Sequence, residues 1–332
     1  MNTVCCFGEA LIDFHGTPTG SAPAFTAHAG GAPANVSVAV ARLGGHAAFV
    51  GMFGQDVFGD LLLRELAAAG VDTAHARRTD AANTALAFVT HAANGERSFS
   101  FYRPPSADLL FRDADFHPSI FSAGSIFHAG SCSMTEPASA LTTLTGMTRA
   151  HDAGALVSYD MNLRPALWPR GGDPAPTIWR ALALADFVKL SAEELAFLSE
   201  STGGENAALA CLWNANAKLV IVTDGERALR WYTPNASGEF PTFQVRAIDT
   251  TGAGDAFVGG CLYRFAEAGI GAATLPAFAA DADRLKSMLR FAAASGALAV
   301  TRAGSFAAMP TLAEVDAFLQ SSSATSNFIR SP

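Results

Sequence analysis

The stretch Asp249-Thr250-Thr251-Gly252-Ala253-Gly254-Asp255-Ala256-Phe257 decides how the rest of the chain is read. Two glycines flank one alanine directly ahead of a helical pattern that runs from Ala253 to Ala268. Backbone N–H groups placed this way face an anion with no side chain between, and the positive end of the helix adds to the attraction. A carboxylate beside a bound phosphate is repelled, so Asp255 needs a task there. Taking the proton of an attacking hydroxyl is one that fits. An Asp N-cap after a glycine turn accounts for the same residues equally well.

Other nucleotide and catalytic signatures are missing. No GxxxxGK[ST] occurs, and the segment GAGDAF lacks the last glycine of GxGxxG, which argues against a P-loop or dinucleotide fold. There is no GxSxG, HExxH or CxxC, and the eight histidines are scattered. A second signal stands near the start, Gly30-Gly31-Ala32-Pro33-Ala34-Asn35-Val36. Its paired glycines admit a ligand close to the backbone, and Asn35 offers hydroxyls both a donor and an acceptor. Read alone, it is also an ordinary helix entry with Pro33 in the first turn.

Around these signals, strand-like and helix-like segments alternate. Strands are expected at Thr3 to Phe7, Ala47 to Gly51, Ser125 to Ala129, Ala155 to Asp160, Phe187 to Leu190 and Lys218 to Val222. Helices are expected at Pro33 to Leu43, Phe58 to Ala69, Glu136 to Ala150, Ala253 to Ala268 and Arg284 to Val300. The rhythm predicts an α/β fold, a mostly parallel sheet covered by helices on both faces. Phe25 to His28, Thr84 to Thr90 and Arg97 to Tyr102 break it, and Asn94-Gly95 between the last two is a hairpin signal, so these segments suit a small β flap. Gly271 to Asp283 reads as a loop and Ser321 to Pro332 as a frayed tail.

Composition narrows the function classes. The 332 residues carry 30 acidic and 22 basic side chains, a net −8, which argues against a nucleic-acid partner. Half of the residues are hydrophobic, enough to bury a core. No apolar run reaches the roughly 18 residues of a membrane span. Met1 to Phe14 has no Lys or Arg, and Glu9 and Asp13 interrupt its apolar run, so it reads as a first strand and not a secretory signal. The five cysteines stand in apolar contexts, as in a reducing cytoplasm, the compartment expected here.

Taken together and in this order, the two glycine signals resemble those of the ribokinase-like (PfkB) family of carbohydrate kinases. The first continues through Leu43-Gly44-Gly45 and Val50-Gly51 to Asp56 and Gly59, and the second matches from Asp249 to Asp255. The likeness spans Gly8-Glu9-Ala10-Leu11-Ile12-Asp13 to Ala299-Val300-Thr301-Arg302. It implies a ribokinase-like fold over 1–320, with a β lid from about 14–30 and 84–108 and a tail at 321–332. It further implies Asp255 as catalytic base and the amides of Gly252, Ala253 and Gly254 as an anion hole. Asp13, Gly30, Gly31 and Asn35 would hold sugar hydroxyls. Ser191, Glu194, Thr223, Asp224, Gly225 and Ala293 would lie at ATP, with Glu194 organising Mg²⁺ through water. Asp249, Thr251, Ala299, Arg302 and Gly304 would surround K⁺.

Three places depart from the family pattern: Ser191 replaces an Asn, Ala293 stands for an Asn near the adenine, and Ala228 for a Gly. Gly31-Ala32-Pro33-Ala34-Asn35 looks like the fructokinase form of the first signature. Asp160-Met161-Asn162-Leu163-Arg164-Pro165 and Phe101-Tyr102-Arg103 resemble segments shared with 2-keto-3-deoxygluconate kinases. Tyr102, Arg103 and Arg164 are therefore expected at the substrate. The expectation is transfer of the ATP γ-phosphoryl group to D-fructose, giving fructose 6-phosphate. 2-Keto-3-deoxygluconate and an aminoimidazole riboside are the alternative acceptors within the family, and a silent sugar-binding regulator is the alternative outside catalysis. A homodimer through the lid strands completes the expectation.

Overall fold

The computed structural model describes residues 1–17, 24–91 and 97–328. The chain opens with β1 (Thr3–Phe7), β2 (Leu11–Thr17), β3 (Ala24–Gly30), α1 (Ala32–Arg42), β4 (His46–Gly54), α2 (Val57–Ala68) and β5 (Ala76–Thr79). Next come β6 (Leu86–His91), β7 (Arg97–Tyr102), β8 (Ser125–Gly130), α3 (Pro137–Asp152), β9 (Leu156–Asp160), α4 (Ala175–Leu182) and β10 (Phe187–Ser191). They are followed by α5 (Ala192–Thr202), α6 (Glu205–Asn214), β11 (Leu219–Thr223), β12 (Leu229–Tyr232) and β13 (Ser237–Phe240). The last four are α7 (Ala253–Glu267), α8 (Leu275–Ala280), α9 (Ala282–Ala299) and α10 (Leu312–Phe328).

The main sheet has nine strands in the order β13-β12-β11-β10-β9-β8-β1-β4-β5, parallel except at β12 and β13. Its central strands β1, β8, β9 and β11 are buried almost throughout because both faces are covered. Phe127, Val157, Val188 and Val220 point into a core shared with Leu144, Ile178, Leu198 and Leu212 of α3 to α6. Their neighbours Ile126, Leu156, Phe187 and Leu219 point the other way, against Val36, Val258 and Leu289 of α1, α7 and α9. Close approach of those three helices depends on small residues. A Cβ on Gly259 would collide with that of Ala39, and one on Gly260 would stand 2.9 Å from the Cα of Ala292.

A second sheet, β3-β2-β6-β7, forms the lid. The register Asp13↔Ala87 and Ala87↔Phe101 puts these three on its inner face. On the outer face Phe88 packs on Phe14, Phe25 and Tyr102. The turn expected at Asn94-Gly95 lies outside the described residues, although the flanking strands pair antiparallel from Leu86↔Tyr102 to His91↔Arg97.

Two expectations change. The presumed loop from Gly271 to Asp283 contains α8, whose Leu275, Phe278 and Ala279 are buried, and the start of α9. Six residues are too few to show a helical period. The presumed tail begins inside α10, which is anchored through Val315 and continues to Phe328. Among the described residues no helix is long and apolar enough to cross a membrane.

Candidate active site

The parallel strands end on one side of the sheet, at Gly130, Asp160, Ser191 and Thr223, and the lid overhangs the same side. A cleft of about 870 Å³ opens there, where α/β sheets place ligands. It brings together Asp13, Gly31, Asn35, Arg103, Arg164, Ser191, Glu194, Thr223 and the segment Gly252 to Asp255. A cavity of about 470 Å³ adjoins it, lined by Gly225, Phe257, Ala293, Gly296 and Val300. The two share Thr223, Thr250, Ala253 and Gly254. A long ligand laid across both would pass over the start of α7.

That helix start is built by Gly252, whose φ of +74° suits glycine. The helix begins at Ala253, so Asp255 stands in its third position and does not cap it. Its Oδ2 instead accepts a hydrogen bond of 2.7 Å from Asn35 Nδ2 on α1. Burial pushes the Asp255 carboxyl up to about 6, with the Asn35 bond pulling it down and the Asp160 charge pushing it up. A carboxylate tuned close to neutrality and fixed at a helix start is equipped to remove a proton. Of the three amides beside it, Ala253 N–H also donates to Thr250 O at 3.4 Å.

Asp13 faces the cleft from β2. Burial, then the Asp255 and Asp249 charges, push its carboxyl up to about 7. Gly30 lies behind it and outside the cleft lining, because a Cβ there would run into the Asp13 carboxylate. Asn35 is buried, and its Oδ1 has no hydrogen-bond partner in the protein. Arg103 is buried, and its Nε and Nη2 donate to Asp108 Oδ2 at 2.8 and 2.6 Å. Glu9, also in the cleft lining, adds a second carboxyl near it. Tyr102 does not reach the cleft. It is 67 % exposed on the outer face of β7, since side chains alternate along a strand, and Phe101 lines the cleft in its place.

On the far side, Ser191 caps α5 and accepts from Glu194 N–H, while Glu194 Oε2 accepts from Ser191 N–H at 2.7 Å. Its Oε1 takes Leu163 N–H at 2.7 Å, tying the loop after β9 to α5. Asp224 is absent from both cavity linings and pairs with Arg227 at 2.7 Å. Behind the glycine segment, Asp249 Oδ1 accepts from Thr251 and Oδ2 from Gly304 N–H at 3.2 Å. Val300 O receives Ile248 and Asp249 N–H, so the 249–251 and 299–304 segments are stitched together. Ala299 is buried there, and the Arg302 side chain pairs with Glu314.

Sequence reasoning passed over Glu9, Asp160 and Lys189, all buried and in the cleft lining. A lone lysine in the apolar run Phe187 to Leu190 was the available signal for the last.

Comparison with known proteins agrees with this layout. The profile described as pfkB family carbohydrate kinase matches residues 1–312. The chain is 42 % identical over 322 residues to Fructokinase-1 of Oryza sativa subsp. japonica, covering 96 % of this chain and 98 % of that one. A crystal structure of fructokinase with bound ATP from Xylella fastidiosa superposes with a TM-score of 0.93 at 54 % identity, over 97 % and 99 % of the two chains. A double-mutant fructokinase of Vibrio cholerae O395 in its fructose-, ADP- and potassium-bound form gives 0.84 at 34 % identity, over 96 % and 98 %.

Proposed function

Because the chain belongs to the pfkB family of carbohydrate kinases, with a ribokinase-like fold, we propose a reading of its cleft residue by residue for the fructokinase reaction. The protein phosphorylates fructose with ATP. The observation that carries the residue assignment is Asp255, buried, raised to about 6 and fixed by Asn35 at the start of α7.

In this reading the fructose 6-hydroxyl sits against Asp255 Oδ1, which takes its proton as the oxygen attacks the γ-phosphorus. The bond to the ADP oxygen breaks in line, and N–H groups of Gly252, Ala253 and Gly254 receive the charge that develops. Asp13 accepts from other hydroxyls, Asn35 stands beside the sugar and holds Asp255, and Gly31 lets the ring approach. ATP lies across both cavities, with its base between Gly225 and Ala293 and its phosphates over Thr223 and Gly254. Mg²⁺ would supply charge neutralisation on the phosphates, and Glu194 would hold it through water: each carboxylate oxygen already takes one N–H and keeps a lone pair for a water. A K⁺ site fits one carboxylate, Asp249, among the carbonyls of Thr251, Ala299, Arg302 and Gly304, whose segments the Asp249 hydrogen bonds already gather.

Arg103 separates the candidate acceptors. Its charge is met by Asp108 with Glu9 close by, so a substrate carboxylate finds no uncompensated cation there. That favours a neutral ketohexose over 2-keto-3-deoxygluconate. Arg164, exposed at the cleft, then serves phosphate or a hydroxyl. The edge strands of the lid and the exposed Phe25 and Tyr102 support a homodimer formed through it. Light scattering should give twice the chain mass, and a monomer would refute the dimer. The phosphoryl assignment is tested by ³¹P and ¹³C spectra of the product, which should be fructose 6-phosphate. A phosphate at any other carbon would contradict the placement of the 6-hydroxyl at Asp255.

A further inference from the structure

One buried charge pair in the cleft has no part in the scheme above. Lys189 on β10 and Asp160 on β9 are direct register partners on neighbouring strands. Lys189 Nζ lies 3.2 and 3.3 Å from the two Asp160 oxygens, and both side chains are almost fully buried. The ammonium also reaches the glycine segment: a Cβ built on Gly254 would stand 3.1 Å from Nζ. Gly254 is thus glycine in part because the lysine head occupies the space beside it. Among the three lysines of the chain, Lys189 alone lines the cleft.

We propose that Lys189 is a further phosphate-contacting cation of the reaction, held by Asp160 against the anion hole and donating to the phosphoryl group as it transfers. The inference rests on the kinase reading above. An ammonium has three N–H donors, and the Asp160 carboxylate engages at most two, leaving one for a further partner beside Gly254. Burial favours the neutral amine, but the Asp160 charge overcomes it, so Lys189 stays protonated. No proton moves to or from it during turnover. The fructose O6–phosphorus bond forms, the bond from phosphorus to ADP breaks, and the 6-hydroxyl proton goes to Asp255. The pair solves an electrostatic problem. A lone buried cation would be expensive to keep in the empty cleft, and Asp160 supplies its counter-charge until phosphate arrives.

A structural salt bridge and a catalytic cation predict different things once both charges are removed. Replacing a buried pair with neutral groups is tolerated far better than removing one partner. The double variant Lys189→Met/Asp160→Asn should therefore fold, with a thermal midpoint close to that of the parent. Its kcat should fall about a hundredfold or more, the usual cost of a lost transition-state donor. KM for fructose should move little. Binding of ADP should also be nearly unchanged, whereas binding of ADP with aluminium fluoride and fructose, a mimic of the transferring phosphoryl group, should weaken by a factor similar to the loss in kcat. The single variant Lys189→Arg should recover part of that loss. A folded double variant with kcat near the parental value would overturn the proposal, as would equal weakening of ADP and of the mimic. A double variant that fails to fold would assign the pair to structure and overturn it too. Parental protein that turns over no sugar would instead reject the kinase reading on which the proposal stands.

Discussion

In the proposed mechanism Asp255 acts as the base, held by one hydrogen bond of 2.7 Å from Asn35. Asp255→Asn keeps the shape and removes the base, so kcat should drop by about 10²–10⁴-fold with the fold intact. A carboxyl raised by burial is protonated at a higher pH than usual, and the protonated form cannot accept the hydroxyl proton. With Asp255 at about 6 and Asp13 at about 7, kcat/KM should hold above neutrality and fall as pH drops through that interval. The Asn35 amide favours the charged carboxylate, so Asn35→Ala should move this acid limb to higher pH. A pH–rate profile with an unshifted limb would show that the bond does not tune the base. Arg103→Ala leaves Asp108 buried without its partner and should cost about 3–5 kcal/mol, read by denaturant unfolding.

At the scale of elements, α7 carries Asp255, and its packing on α1 and α9 relies on Gly259 and Gly260. Gly259→Ala drives a methyl into Ala39 and should destabilise the protein by about 1–3 kcal/mol, seen as a lower thermal midpoint. Substrate affinities at low temperature should change far less than stability. The glycine segments and the start of α7 were legible in the sequence because each is contiguous: backbone geometry and helix start are local properties. What depended on which strand lies beside which was not. Lys189 and Asp160 meet only because β9 and β10 are neighbours, a pairing no local pattern announces. Tyr102 was misplaced by one residue because the parity of β7 is set by its register with β6, leaving Phe101 facing the cleft. Asp255 is equally a helix cap on sequence grounds, and the start of α7 at Ala253 together with the Asn35 contact removes that reading. The short helix α8 lacked the length to declare itself.

For the whole molecule, two cavities meet at Thr223, Thr250, Ala253 and Gly254 beside a four-stranded sheet, and in the proposed reading they bring sugar and nucleotide together away from water. ATP should accordingly be consumed far more slowly with water alone than with sugar, measured by ADP release. Two cations of the cleft are met by carboxylates, Arg103 by Asp108 and Lys189 by Asp160, and Arg164 is then the remaining cation against Glu9, Asp13, Glu193, Glu194 and Asp255. That excess of carboxyl groups suits an uncharged ketohexose better than a carboxylate-bearing acceptor. The most direct test is steady-state ATP-dependent phosphorylation of D-fructose, 2-keto-3-deoxygluconate, ribose and aminoimidazole riboside, each with the parent and with Asp255→Asn. The account predicts the highest kcat/KM for fructose and its near-complete loss in Asp255→Asn. A higher kcat/KM for the keto-acid, or undiminished turnover in Asp255→Asn, would contradict it.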